Sequence, residues 1–457
     1  MRDAHNGRLP MGLFDVFRIK KETFPVHITD TAARVRALAL IDQGNAVEDA
    51  GRLSEALALY LAAVEAAPDL PKAHLNLGNG LLAKGDPLAA LKSYTRALEL
   101  DPAYAPAHYN CGNAHVALLQ HAEALPCYQA ALAINPTFVD ALVAFGFAQH
   151  HLADYKGAVA TYLHALELNP AYAQALNNLG LTYIGLAEHD KALDCFSRSI
   201  ALKPDYPEPY YHRSLLLIGK KERLAAIKDL DQLLTLNPTY SLALGQRLHA
   251  HMQLCDWSKY EEQCALVLQR LEQGALLSTA FPVLAISDSS RHQLIANVLW
   301  VASRYPPKSA LGPISRHTDR KKIRVGYFSM DFNNHPVSFL TAGVFESHAR
   351  DDFEIYAFSY GPVVRDEMRI RLEGAFDHFI DVSGKSALDI AKLSRHLDIY
   401  SAVDLAGHTG EAATGVFALR AAPIQINYLG YPSSMGADYM DYMMVDHVTV
   451  PDDQRSH

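Results

Sequence analysis

Apolar and polar positions along this chain keep two different rhythms, and the change falls near residue 320. Before it the beat is 34 residues. Pro68, Pro102, Pro136, Pro170, Pro204 and Pro238 are spaced 34 apart, which 23 prolines scattered over 457 residues would not produce by chance. Gly44, Gly78, Gly112, Gly146 and Gly180 lead each proline by 24, with Ser214 in the sixth place. Ala56, Ala90, Ala124, Ala158, Ala192 and Ala226 come twelve later, and Tyr60, Tyr94, Tyr128, Tyr162 and Phe196 four after those, with Leu230 last. Small residues let two helices approach closely, an aromatic fills the space beside them, and proline stops the second helix. The pattern predicts six helical hairpins over 37–240, preceded by a segment at 1–36.

Residues 241–320 keep helical patterning (QCALVLQRLEQG, HQLIANVLWVASRY) and close on PPKSALGPISRHTDRKK, which reads as a linker. From 321 to 457 the period changes. Apolar, strand-like runs recur at 323–329, 353–360, 378–383, 399–407, 424–430 and 442–446, with helical stretches between most of them. Strands alternating with helices predict a parallel, Rossmann-like sheet. The fold expectation is therefore an α-solenoid followed by an α/β Rossmann-like lobe. Its strand-end loops (DFNNHPVS, DLAGHTG and LGYPSSMGADYMDY) are the places where such folds put chemistry.

Composition narrows the function classes. A net charge of −9 argues against a nucleic-acid binder, which would present a basic face. No apolar run approaches the roughly 18 residues of a membrane span, and the N-terminus lacks the apolar core of a signal peptide. Cys111, Cys127, Cys195, Cys255 and Cys264 form no CxxC pair and read as small buried hydrophobes in a reducing compartment. The expectation is a cytoplasmic protein.

Several motifs fail on inspection. SGKS at 383–386 has Phe379 where a phosphate-binding loop needs its first glycine, and no GxGxxG follows a strand. Asp229 and Asp231 point to different faces of a helix and cannot share a metal. No metal and no cofactor is expected. His335, in FNNHPVS, is by itself most simply a solvated loop histidine. Asn76, Asn110 and Asn178 stand two residues before the small residue of their repeats, with Asp42, Ala144 and His212 at the same place elsewhere. An amide can donate to and accept from an extended backbone, but it can equally satisfy neighbouring helix ends.

The 34-residue unit resembles the tetratricopeptide repeat. Joined to CDWSKY at 255–260, the strand-end loops and ALRAAPIQINYLGYP, it resembles the protein O-GlcNAc transferase family, glycosyltransferase family 41. The resemblance covers the chain from about 37 onward. It implies inverting, metal-independent transfer of N-acetylglucosamine from UDP-GlcNAc to Ser or Thr of acceptor proteins held along the repeat groove. It also implies His335 as the active-site histidine, His408 and Thr409 as donor-sugar contacts, and Asn76, Asn110 and Asn178 as rungs of an acceptor-gripping ladder. Ser433 and Ser434 replace the Gly–Thr of the commoner LGYPGTSG pattern. In the family a second Rossmann lobe carries most of the nucleotide pocket. A chain ending at VPDDQRSH is expected to lack it and to transfer weakly. Two alternatives stand beside this: a protein O-fucosyltransferase-like relative, and a noncatalytic repeat scaffold.

Overall fold

The computed structural model describes residues 31–445 apart from 279, 315–320, 410–412 and 432. Two compact units divide the chain, Met1–Ala192 and Leu193–His457.

In the first unit helices come in pairs: α1 (Thr31–Asp49) with α2 (Leu53–Ala66), α3 (Pro71–Ala83) with α4 (Pro87–Leu100), α5 (Ala105–Ala117) with α6 (His121–Ile134), and α7 (Val139–His151) with α8 (Tyr155–Leu168). Helix α9 (Ala173–Gly185) follows, and α10 (His189–Leu202) runs across the unit boundary. The first helices of successive pairs also touch, α1 with α3, α3 with α5, α5 with α7 and α7 with α9. This is a helical solenoid.

The repeat signature has a steric cause. A Cβ placed on Gly44, Gly78 or Gly112 would come within 2.4 Å of the ring of Tyr60, Tyr94 or Tyr128, and one on Gly146 within 2.9 Å of Tyr162. Glycine at that place lets the second helix press a fully buried tyrosine against the first helix's backbone. The buried hydroxyl then needs a partner. Tyr60, Tyr94 and Tyr128 donate to Oδ1 of Asn45, Asn79 and Asn113, the residue after each glycine, at 2.8, 3.0 and 2.9 Å. The prolines fall two residues beyond the ends of the second helices, where proline halts a helix.

The second unit continues with the pair α11 (Pro207–Gly219) and α12 (Arg223–Leu236), then α13 (Ala243–Gln253), α14 (Tyr260–Glu272), α15 (Ala280–Leu284) and α16 (Ser290–Arg304). Asp229 and Asp231 part company as their helical spacing requires. Asp229 takes a two-pronged ion pair from Arg213 at 2.6 and 2.8 Å, whereas Asp231 meets Arg247 at 3.0 Å.

The sheet follows: β1 (Ile323–Ser329), α17 (Pro336–Glu346), β2 (Phe353–Ser359), α18 (Glu367–Ala375), β3 (His378–Asp381), α19 (Ala387–His396), β4 (Ser401–Asp404), α20 (Thr414–Phe417), β5 (Ile424–Tyr428) and β6 (Tyr442–Met444). All pairings are parallel, in the order β3-β2-β1-β4-β5-β6. Alternation along β1 and β4 sends Tyr327 and Val403 into one core and Phe328 and Ala402 into the other. The strand order reverses between β1 and β4. In open α/β sheets ligands bind beyond the carboxyl ends at that crevice, and the loops carrying His335 and His408 both emerge there.

The cysteine expectation needs one correction. All five are free thiols and Cys111, Cys195 and Cys264 are buried, but Cys127 is half-buried and Cys255 is exposed in the turn after α13. No helix among the described residues is long and apolar enough to cross a membrane.

Candidate active site at the strand ends

Residue types at the end of β1 build the first loop. Asp331 is anchored from both sides: its N–H donates to Ser329 Oγ at 3.0 Å, and its carbonyl accepts from Ser338 Oγ at 2.5 Å. Asn334 ties the loop to the next helix. Its N–H donates to the Asp366 carboxylate at 2.7 Å, while its own Oδ1 accepts the Met368 N–H at 3.3 Å. Pro336 starts α17 with no N–H to satisfy, which makes Val337 the first amide of that helix in need of an acceptor. His335 supplies it, as N-cap with extended backbone, through Nδ1 at 3.3 Å. The other side of Nδ1 faces Asp331 Oδ2 at 3.6 Å. The His335 side chain is 41% exposed. Nδ1 thus lies between a backbone donor and a carboxylate acceptor, and the neutral ring can serve only one of them at a time.

The second loop follows β4. Asp404 ends that strand fully buried, with Oδ1 accepting the Ala406 N–H at 3.0 Å. Burial lifts its carboxyl from the ordinary 3.8 to about 6, partly offset by the Ala406 and Gly407 amides. His408 Nε2 donates to the Met435 carbonyl at 2.8 Å, which fixes the tautomer and leaves Nδ1 with a bare lone pair. Burial lowers its proton affinity. Thr409 turns inward, donating to the Ala406 carbonyl at 2.6 Å.

Helix α16 holds the third loop. Asn297 is fully buried, accepts from Tyr431 Oη at 2.9 Å and donates to the Ser434 carbonyl at 2.5 Å. Ser433 Oγ bonds Gln293 at 3.1 Å. The two serines at the Gly–Thr place are thus absorbed by polar groups of the preceding helix.

Tyr360 joins the loops. Gly361 allows its placement, since a Cβ there would lie 1.9 Å from the Met330 carbonyl oxygen. The buried Tyr360 hydroxyl is pushed well above its ordinary proton affinity, first by burial, then by the charge of Asp404 and, less strongly, of Asp331. It lies near the Met330 and Ala413 backbone yet completes a hydrogen bond with neither. Among the described residues Tyr360 Oη, Asp404 Oδ2, His408 Nδ1 and Asn427 Nδ2 are all buried without a partner. Asp404 and Asn427 are register partners across β4 and β5, so they share one sheet face. Buried polar atoms are rarely left open. Four at one sheet end mark a place built to meet hydroxyls, amides or water.

Residues 301–457 match the profile of Glycosyl transferase family 41, and repeat profiles match 79–118 and 154–186 (TPR repeat) and 105–138 and 173–206 (Tetratricopeptide repeat). The region at 301–457 is therefore one of glycosyltransferase family 41, and tetratricopeptide repeats precede it. A probable UDP-N-acetylglucosamine–peptide N-acetylglucosaminyltransferase (SEC) of Arabidopsis thaliana is 36% identical over 37% of this chain. The corresponding Caenorhabditis elegans transferase is 31% identical over 43%. The aligned stretches span 18% of the length of each of these relatives. A solved Thermobaculum terrenum O-GlcNAc transferase mutant aligns over 70% of this chain and 55% of its own, at 23% identity and a TM-score of 0.41.

Within this family-41 region the fold brings His335, His408 and Thr409 to neighbouring strand ends. Asn76, Asn110 and Asn178 lie apart from them, in α3, α5 and α9 of the first unit. None of the three amides is wholly free: Asn178 Oδ1 accepts from Asn177 Nδ2 at 3.3 Å, and its side chain also bonds Tyr162. Asn76 Nδ2 donates to the Lys72 carbonyl of its own helix at 2.8 Å. Asn110 Nδ2 donates to Asn79 Oδ1 at 2.8 Å, and Asn110 Oδ1 accepts from Asn113 at 3.3 Å. Asn110 thereby joins a chain whose ends, Asn79 and Asn113, accept from the buried Tyr94 and Tyr128. Sequence reading passed over Asp331, Tyr360, Asp404 and Asn427. Two of them carried a signal: DFNNH and DLAGH each open on an aspartate at the carboxyl end of a strand.

Proposed function

We propose that the protein is a protein O-glycosyltransferase of the O-GlcNAc transferase type, moving N-acetylglucosamine from UDP-GlcNAc to Ser or Thr of acceptor proteins held by the repeats. The observation that carries this reading is the family-41 match over 301–457, the region whose strand-end loops bear His335 and His408. The names of the plant and nematode relatives state this activity of those proteins.

In the proposed reaction the acceptor oxygen bonds the anomeric carbon from the face opposite the diphosphate, and the bond to the diphosphate breaks with inversion. The hydroxyl proton goes to an imidazole nitrogen of His335. The bare Nδ1 of His408 suits a donated sugar hydroxyl, and Thr409 shapes the turn beside it. Asn76, Asn110 and Asn178 contact the acceptor chain through the amide capacity their internal bonds leave. The family resemblance implies no metal and no further cofactor.

Labelled-sugar transfer from UDP-GlcNAc and GDP-fucose tests this, with and without His335→Ala. The reading expects transfer from UDP-GlcNAc that falls about 10²–10⁴-fold in the variant. Transfer from GDP-fucose alone would replace it with a fucosyltransferase. Peptide binding with neither donor binding nor transfer would make the protein a scaffold.

A further inference from the structure

We propose that Asp331 is a positioning residue for His335, selecting the imidazole tautomer that leaves Nε2 with its lone pair. The inference rests on the reading of His335 as the base, and it arises from a conflict at one atom. Nδ1 lies between a donor, the Val337 N–H at 3.3 Å, and an acceptor, Asp331 Oδ2 at 3.6 Å. One ring nitrogen cannot serve both. If Nδ1 stays bare for Val337, the ring's proton sits on Nε2, and the ring can only donate toward whatever approaches that side. If the proton sits on Nδ1 and points to Asp331, Nε2 is bare and can take a proton from a hydroxyl.

Three observations favour Asp331 as the stronger claimant. A hydrogen bond to a carboxylate is roughly twice as strong as one between neutral groups, and the Val337 contact is already long. Among the described residues no N–H or O–H donates to the Asp331 carboxylate, although its side chain is only 18% exposed. A half-buried carboxylate lacking donors gains most from acquiring one. Ser329 and Ser338, both nearly fully buried, also hold the Asp331 backbone on either side, which keeps its Cα beside the imidazole. Val337, by contrast, caps on a side chain that is 41% exposed, so water can replace the imidazole there. Asp331 makes no contact with substrate in this scheme and acts through His335.

The tautomer can be read without any transfer. Two-bond proton–nitrogen correlations on uniformly ¹⁵N-labelled protein distinguish a protonated from a bare ring nitrogen, and His335→Gln identifies the His335 signals. At neutral pH the wild type should show Nδ1 protonated and Nε2 bare. Asp331→Ala should reverse this, and Asp331→Glu should restore it in part. A wild-type ring protonated on Nε2 would overturn the proposal even if no variant folded, as would an unchanged tautomer in a folded Asp331→Ala. In the transfer assay Asp331→Ala should lower kcat about 10-fold or more with KM little changed. A His335→Ala protein that transferred at the wild-type rate would remove the base role while leaving the tautomer result intact, so the two failures are distinguishable.

Discussion

The repeats and the strand-end cluster use buried polar groups in opposite ways. Around Gly78 the circuit closes: Tyr94 donates to Asn79, and Asn79 accepts from Asn110, which accepts from Asn113, itself the acceptor for Tyr128. At the carboxyl ends of β2, β4 and β5 the circuit stays open among the described residues, where Tyr360, Asp404, His408 and Asn427 each hold a buried atom with no partner. The first arrangement adds stability and rigidity to a helical array. The second costs stability and keeps donors and acceptors in reserve. Functional sites often carry such a cost.

The sharpest way to break this comparison lies in the repeats. Tyr94→Ala leaves a void where a fully buried ring met two helices and should cost about 3–5 kcal/mol. Its check is the urea midpoint of the whole protein, followed beside local hydrogen exchange because repeat arrays can open piecewise. A loss below about 1 kcal/mol would mean that the glycine–tyrosine contact is not the element that sets the repeat.

Asp404 should behave in the opposite sense. Its folded carboxyl, at about 6, binds a proton more readily than the unfolded chain, whose carboxyl titrates near 3.8. Between those values the native state holds more protons, so its stability falls as pH rises from about 4 to about 6 and stays reduced above that. Asp404→Asn removes the charge and should raise stability at pH 7.5 by roughly 1–3 kcal/mol while flattening the slope below pH 6. Denaturant titrations at pH 4.5 and 7.5 check both. A variant less stable than wild type at pH 7.5 would show that the open carboxylate is stabilising.

The smallest effect sharpens the comparison at the groove. The triple change of Asn76, Asn110 and Asn178 to alanine should weaken an acceptor peptide by about 0.5–1.5 kcal/mol for each hydrogen bond removed from the peptide backbone. Isothermal calorimetry measures this, and unchanged affinity would mean that the asparagines serve only the helices.

How far the sequence could be read depended on whether spacing alone fixes a contact. The 34-residue beat required hairpins because a small residue, an alanine and an aromatic at constant intervals pack only one way on paired helices. The apolar runs at 323–329 and 353–360 likewise required buried parallel strands, and β1 and β2 occupy 323–329 and 353–359. Such features are local, and periodicity carries them. The tertiary structure decided the rest. Sheet order put the loops after β1 and β4 at the reversal point, and no run of residues states which strand lies beside which. Burial made Asp404 hold its proton to higher pH, a property of surroundings drawn from β2, β4 and β5 together. Asn110 took a partner 31 residues away, Asn79, because packed helices bring repeat neighbours within hydrogen-bond reach. Spacing names the residues that meet along one helix or strand, and only the closed fold determines which polar atoms find each other and which are left waiting.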